Sequence, residues 1–411
     1  MLQQHKDLVK ATIPALQQHG EAVTRAFYET LFEEHPALLN IFNPANQRSG
    51  GQARSLAASI LAYAAHIDHL DQLGGMVNRI AHKHASLEVQ PEHYPIVGDH
   101  LLRAIRSVLG EAATPEIIEA WGAAYQQLAT IMTGVEQKLY QDGSSQAGGW
   151  SGFKPLTVIR KVEESETITS FYLADPDGKK LPSFQPGQYL AIKAQVADAP
   201  FQQIRQYSLS KTSDGNTYRI SVKRELAPSH ITAAENGLIS NHLHDDIQEG
   251  DSLLAHVPQG DFMLQQSDRP VVLLSGGAGI TPAICMLHHL AVSASHRPVL
   301  FVHAALQGSH HAFRDEIQEL TATYPHLRSL TFYERPAAAD QAGLHYDHAG
   351  RISAESLSSH LPPQADFYYC GPIGFMNAVD TLLNGLNIPL DCRYSEAFGP
   401  DPSFSTEIAR A

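Results

Sequence analysis

The sequence predicts three successive folds: an all-α domain, an antiparallel β-barrel, and an α/β domain with a parallel sheet. Three observations predict them. Apolar residues recur at spacings of three and four up to about residue 140, with no strand alternation. Short strand-like runs separated by turn residues follow, from 151 to 264. From 265 to 411, continuously apolar runs alternate with helical stretches, as buried parallel strands and their crossover helices do. With 411 residues, the chain is long enough for each part to have its own core.

In the first domain, 1–140, the helical period is carried by Ala26-Phe27-Leu31-Phe32 and by Leu101-Leu102-Ile105-Val108-Leu109. Helix breaks fall at His35-Pro36, Phe42-Asn43-Pro44 and Gln90-Pro91, and Thr114-Pro115 reads as a cap with proline in the first turn. On a helix, Ile80, His84 and Leu87 share one face and His82 points nearly opposite. A histidine between aliphatic groups suits axial ligation of haem iron. The same pattern fits a hydrogen-bonded core histidine. Residues 141–150 are small, polar and glycine-rich, and read as a linker.

Strands are expected at Thr157–Val162, Ile168–Leu173, Gln188–Ile192, Tyr218–Val222 and Ser252–Val257. Arg205-Gln206-Tyr207-Ser208 lies on a further strand. It can offer a flavin an aromatic plane, a hydroxyl and a cation, or it can be an edge strand with alternating polar residues. Val222-Lys223-Arg224-Glu225 and Gly237-Leu238-Ile239-Ser240-Asn241 add a strand and a helix start whose backbone N–H groups can meet a pyrophosphate.

In the third domain, strands are expected at Pro270–Leu274, Pro298–Val302, Ser329–Tyr333 and Asp366–Tyr369. Ser275-Gly276-Gly277-Ala278-Gly279-Ile280-Thr281-Pro282 follows the first of them and opens a helix, with Thr281 as the expected N-cap. Its place in a βαβ unit favours nucleotide binding over a plain glycine turn. Cys370-Gly371-Pro372 ends a later strand in the same way. Glu396-Ala397-Phe398 brings an aromatic that can cover a flavin face. Cys370 has no partner cysteine nearby in sequence and is not expected to be a redox thiol.

Composition narrows the class. The net charge of −14 argues against nucleic acid and anionic membranes as partners. Three scattered cysteines form no disulfide framework, and no apolar run reads as a signal peptide or a bilayer span. A cytoplasmic protein is expected.

The Arg-x-Tyr-Ser strand, the Gly-Gly-x-Gly-Ile-Thr-Pro loop and the Cys-Gly-Pro turn, in that order, resemble the ferredoxin–NADP reductase superfamily. With the helical domain in front, the whole chain resembles the flavohaemoglobins. The resemblance implies a globin, an FAD-binding barrel and an NAD(P)H-binding domain, hence haem b, FAD and NAD(P)H as cofactors. It implies His84 as the iron ligand, Tyr94 and Glu136 as the groups holding its imidazole, Tyr28 and Gln52 on the oxygen side, Phe42 against the porphyrin and Lys83 near a propionate. It further implies FAD contacts at Tyr189, Arg205, Gln206, Tyr207, Ser208, Lys223 and Ser240. NAD(P)H contacts are implied at Gly276, Gly277, Gly279, Thr281, Cys370, Gly371 and Pro372, with Glu396 and Phe398 near the nicotinamide.

The implied activity is oxidation of nitric oxide to nitrate with O2, in a monomer that needs no protein partner. Reduction of alkyl hydroperoxides, a diaphorase activity, or an O2 carrier or gas sensor are the competing readings. His303-Ala304-Ala305-Leu306-Gln307 carries no arginine pair for a 2′-phosphate, which favours NADH. Two stretches depart from the family pattern: Leu226–Asn236 is longer than its glycine-rich connection, and the tail beyond Pro400 runs on further.

Overall fold

The computed structural model describes residues 1–43, 47, 50–197, 199–227, 236–293 and 297–399. Most of the 226–236 insertion, and the tail from 400 onward, lie outside the described residues.

The first unit is helical: α1 (Gln3–Ala11), α2 (Ile13–Glu34), α3 (Gly51–Ala65), α4 (Gly74–Ser86), α5 (His93–Leu109) and α6 (Pro115–Ser145). Pro36 ends α2, because the residue before a proline is pushed out of the helical region, and His35 sits at φ −129°, ψ 64°. Thr114 Oγ1 accepts the Ile117 N–H at 3.4 Å at the start of α6, with Pro115 in the first turn. Helix α6 continues to Ser145, through the first half of the segment read as a linker.

Helix α2 buries Val23, Phe27 and Leu31, spaced four apart, in a core shared with Leu101 and Ile105 of α5 and Trp121 of α6. Burial of Phe27 or Leu31 stabilises the fold by about 1.5–3 kcal/mol each. Helices α2 and α3 cross closely. A Cβ on Gly20 would lie 3.4 Å from Ala57 Cβ, and Thr24 Oγ1 donates across the crossing to the Ala53 carbonyl at 2.9 Å.

In the second unit, β1 (Lys154–Glu163), β2 (Ile168–Ala174), β3 (Tyr189–Ala194), β4 (Gln203–Ser208), β5 (Thr217–Lys223) and β6 (Ser252–Ala255) form a sheet in the order β4-β3-β6-β1-β2-β5. Its two edges meet where Leu209 bridges Ile220 and the Ser210 N–H donates to the Arg219 carbonyl at 2.8 Å, closing the barrel. Leu156, Val158, Phe171, Leu173, Leu190, Ile192, Ile220 and Val222 fill its interior. Helix α7 (Leu238–Asp245) packs on that core through Ile239 and Leu243.

The same unit continues as β7 (Val271–Gly276), α8 (Ile280–Val292), β8 (Val299–Ala305), α9 (Arg314–Thr323), β9 (Leu327–Tyr333), β10 (His348–Ala349), α10 (Ala354–Ser358), β11 (Asp366–Gly371), α11 (Ile373–Gly385) and β12 (Arg393–Ala397). The sheet is parallel, ordered β10-β9-β8-β7-β11-β12. Alternate residues of β7 serve two cores. Val271 and Leu273 pack with Ile284 and Leu287 of α8, and Val272 and Leu274 with Met376, Val379 and Leu383 of α11. Strands β10 and β12 were not read in the sequence.

Arg219 of β5 joins the barrel to the nucleotide-binding layer. Its Nη1 and Nη2 donate to Glu316 of α9 at 2.9 and 3.0 Å, and its guanidinium lies 4.8 Å from the Phe313 ring centroid. Burial alone would raise the Glu316 pKa, but hydrogen bonds from His288 and Arg219 outweigh it and hold the group at about 2. Because this folded-state value lies below the ordinary 4.5, the ion pair's contribution is complete above the ordinary value. It is lost as pH falls from there toward about 2. Denaturation midpoints of wild type and Glu316→Gln should therefore differ most near neutrality and converge below pH 3. A constant offset across that window would contradict the assignment.

Candidate functional site

In the helical unit, His84 of α4 meets Glu136 of α6. Nδ1 lies 2.7 Å from Oε1, and Tyr94, the second residue of α5, donates its hydroxyl to the same oxygen at 2.6 Å. The Tyr94 hydroxyl is also 3.3 Å from His84 Nδ1. The Glu136 side chain is 2% exposed. Burial, then the hydrogen bond to Glu136, drives the Tyr94 phenol far above its usual range, so it stays a donor. A carboxylate accepting on the Nδ1 side puts the ring proton there and leaves Nε2 as the ligand atom. This is the donor set an axial haem ligand needs.

His82 corrects a simple reading of helix faces. It was expected to point away from the apolar face, yet it is buried, whereas His84 is half-buried. Burial alone would favour His82; the contacts to Glu136 and Tyr94 single out His84. Tyr125 fixes the backbone of Tyr94, donating to its carbonyl at 2.6 Å. That approach needs Gly98, where a Cβ would come within 2.5 Å of the Tyr125 ring. Lys83 is exposed, one residue before His84.

Tyr28 of α2 lies in an aromatic nest. Its ring stacks on Phe32 at 5.7 Å and meets Phe27 and Phe42 edge-on at 4.8 and 5.8 Å. Burial pushes its phenol well above the usual range, and a hydrogen bond from Gln52 of α3 opposes the shift. Gln47 Nε2 donates to Gln52 Oε1 at 2.7 Å. With its oxygen accepting from Gln47, Gln52 can offer its NH2 to the tyrosine oxygen. The Tyr28 proton is then left to donate elsewhere. Gln47 was not singled out in the sequence, because only the fold places it beside Gln52.

On the barrel, Arg205 and Tyr207 share one face of β4 by the two-residue period. Burial pushes the Tyr207 phenol up, opposed by the Arg205 charge, and Glu225 pushes it up further. Ser208 is buried at the end of the strand, and Gln206 is half-buried. Tyr189 starts β3, its N–H bonded to the Gln259 carbonyl at 2.8 Å. Gly260, at φ +120°, admits its ring: a Cβ there would lie 3.0 Å from it. Lys223 pairs with Glu225 at 2.8 Å.

The start of α7 is tied to the end of β5. The Gly237 N–H donates to the Glu225 carbonyl at 2.8 Å, and Asn241 Nδ2 donates to the same carbonyl at 2.9 Å. The Ser240 hydroxyl donates to the Gly237 carbonyl at 3.1 Å and accepts the Glu225 N–H at 3.2 Å. What Ser240 can offer a phosphate is therefore its first-turn backbone N–H.

In the parallel sheet, register brings three predicted segments level. Ser275 pairs with Cys370, and Cys370 with Glu396. The glycine loop, the Cys-Gly-Pro turn and the Glu396–Phe398 strand thus meet at the carboxyl ends of β7, β11 and β12, where open α/β sheets bind ligands. The loop is fitted to the turn. A Cβ on Gly279 would come 1.9 Å from the Cys370 carbonyl oxygen. The Phe375 ring of α11 would be struck by a Cβ on Gly276 or Gly371 at 2.8 and 2.6 Å. Gly277 takes φ +51°.

Thr281 is not the N-cap: α8 begins at Ile280, and the threonine hydroxyl, inside the first turn, donates back to the Ala278 carbonyl at 3.0 Å. Pro372 is the N-cap residue of α11. Burial, then the Glu396 charge, raises the Cys370 thiol well above its usual range, so it is no redox nucleophile. Phe398 is 47% exposed.

Comparison with known proteins gives the class first. A globin family model matches residues 25–132, an oxidoreductase FAD-binding domain 155–264, and an oxidoreductase NAD-binding domain 273–381. In that order they make a globin joined to a flavin- and nicotinamide-dependent oxidoreductase.

A flavohemoprotein of Deinococcus radiodurans is 56% identical over 406 residues, covering 98% of each chain, and one of Burkholderia sp. is 47% identical over 401 residues, covering 97% of this chain and 98% of its own. The chain belongs to the flavohaemoproteins. A crystal structure of flavohemoglobin from Malassezia yamatoensis with bound FAD and heme superposes with a TM-score of 0.83 at 27% identity, covering 97% of this chain and 99% of that one. The FAD/NAD-binding domain of a Vibrio cholerae nitric oxide dioxygenase matches at a TM-score of 0.53 and 35% identity, covering 60% of this chain and 99% of that one. Among the described residues, no helix is long and apolar enough to cross a membrane.

Proposed function

We propose that the chain is an NAD(P)H-dependent nitric oxide dioxygenase, with residues 1–140 holding haem b, 151–264 FAD and 265–411 the nicotinamide nucleotide. The observation that carries this reading is the pairing, in one helical domain, of a carboxylate-backed histidine with a buried phenol in an aromatic nest. Bound haem iron supplies O2 activation and bound FAD splits a hydride into single electrons, so that two NO, two O2 and one NAD(P)H give two nitrates, NAD(P)+ and one proton.

The residues do the positioning. Glu136 and Tyr94 hold the His84 ring and raise its basicity, which favours activating a bound oxidant over storing it. Tyr28 donates its proton to the negative charge that builds on the oxygen side, and Gln52, oriented by Gln47, keeps the phenol turned that way. The nest of Phe27, Phe32 and Phe42 excludes water and strengthens that hydrogen bond. Arg205 meets phosphate charge, while Tyr207 and Tyr189 offer aromatic planes to the flavin. The loop from Gly276 to Gly279 gives the nucleotide a close backbone approach. NADH is the preferred nucleotide in this reading, and O2 and NO are the gaseous substrates.

The test is steady-state NADH oxidation with NO against cumene hydroperoxide as acceptor. Rapid NO-dependent turnover with stoichiometric nitrate supports the proposal. Faster turnover with hydroperoxide, or none with NO, would replace it with a peroxide reductase or an O2 carrier. Tyr28→Phe should speed O2 release about tenfold or more, the effect of losing a hydrogen bond to a charged group. Unchanged O2 release in flash photolysis would remove Tyr28 from its role.

A further inference from the structure

Helix α2 ends on Glu34, and Pro36 bends His35 out of the helix beside it. Across from this end, α5 presents His100, which is 1% exposed. One donor atom each from Glu34, His35 and His100 lie within 4.8 Å of one another. The His35 and His100 rings meet edge-on at 5.4 Å.

Thr30 can support the ring form of His100 that binds a cation through Nε2. Thr30 Oγ1 is 3.0 Å from Nδ1 and 3.2 Å from the carbonyls of both Ala26 and Phe27. In that form the threonine oxygen accepts Nδ1–H and the hydroxyl proton goes back to the helix carbonyls. Nε2 then carries a lone pair, and it faces Glu34 Oε2 at 3.6 Å. Arg103 now serves the carboxylate, donating from Nη1 to Oε2 at 2.9 Å and from Nη2 to Oε1. It also reaches Asp99 at 3.3 Å, to which it can turn if Glu34 is taken.

We propose that Glu34, His35 and His100 form a site for a borderline divalent cation of the zinc, nickel or copper(II) class, apart from the haem. Two imidazoles and one carboxylate are the donor types such ions select over magnesium or calcium. A ligating histidine with its second nitrogen bonded to a hydroxyl has the support that metal sites use. Tetrahedral coordination with bonds of about 2.0–2.2 Å places donor atoms about 3.4 Å apart. Nε2 and Oε2 already stand near that spacing. Separations of up to 4.8 Å must close to about 3.4 Å, within reach of rotations of the half-buried His35 and exposed Glu34 side chains. Solvent fills the remaining coordination positions.

The test uses full-length holoprotein and Zn2+ in competition with a chromophoric chelator. Wild type should bind zinc at this site, His35→Ala and Glu34→Gln should each weaken it about tenfold or more, and Arg103→Ala, which frees the carboxylate, should tighten it several-fold. Haem and flavin spectra should match wild type in all three variants. Because the chain has 23 histidines, zinc-edge anomalous diffraction fixes the place. A peak between Glu34, His35 and His100 supports the site. A peak elsewhere with none here, or the same affinity in wild type and His35→Ala, overturns it.

Discussion

Replacing His84 with alanine will strip haem from the protein and leave NADH-driven reduction of the flavin intact. The ligand, its carboxylate and its tyrosine come from three helices of the first unit, whereas the flavin and nicotinamide segments lie in the other unit with a separate core. Loss of the ring nitrogen held by Glu136 would remove the proposed bond to haem iron, and nitric oxide consumption should fall by at least about two orders of magnitude. That is the scale of removing a group the reaction passes through. The purified variant should show flavin absorbance that bleaches with NADH and no Soret band. Full haem occupancy would transfer the ligand role to another histidine, with His82, two residues away and buried, the first to examine.

Arg219→Ala should be the most destabilising change in the second unit, costing about 3–5 kcal/mol, because it leaves a partly buried carboxylate without its bidentate partner. The guanidinium is 2% exposed, donates to both oxygens of Glu316, bonds the Ser210 hydroxyl through Nε at 3.0 Å, and lies over the Phe313 ring. Chemical denaturation followed by flavin fluorescence measures the loss. The double variant Arg219→Ala/Glu316→Gln should recover part of it, since it no longer strands a charge. Additive costs in the two single variants would mean that the pair is not coupled.

Most of the architecture was legible in the sequence because its period changes twice. The strands with unbroken apolar or alternating patterns, such as Val271–Gly276 and Ile168–Ala174, stand where the pattern put them. Strand β12 was missed because Arg393–Ala397 is polar and only half-buried, and its strand state comes from pairing with β11. Thr281 misled for a local reason: threonine before proline looks like a cap, but the turn from Gly277 to Gly279 already starts the helix one residue earlier.

The site was legible in parts only. His84 carried a signal in its aliphatic neighbours. The partners Glu136 and Tyr94 and the pair Tyr28 and Gln52 are ordinary residues on amphipathic helices, and only the family resemblance marked them. Gln47, Phe375 and the Arg219–Glu316 pair carried no signal, because contacts across 97 residues or between neighbouring helices leave no spacing to read.

The strand order of the parallel sheet also sets a timetable for synthesis. Strand β7, the first of its sheet to leave the ribosome, is flanked by β8 and β11, and β11 emerges about ninety residues after β7 is complete. At about 5–20 residues per second, one edge of a fully apolar strand waits about 5–20 s for its neighbour. The helical domain, encoded first, also waits for its later helices, but each helix satisfies its own backbone and leaves no open strand edge. The nascent chain is therefore most exposed to misassembly while residues 277 to 371 are being made, and slow codons or a chaperone would have their greatest effect there.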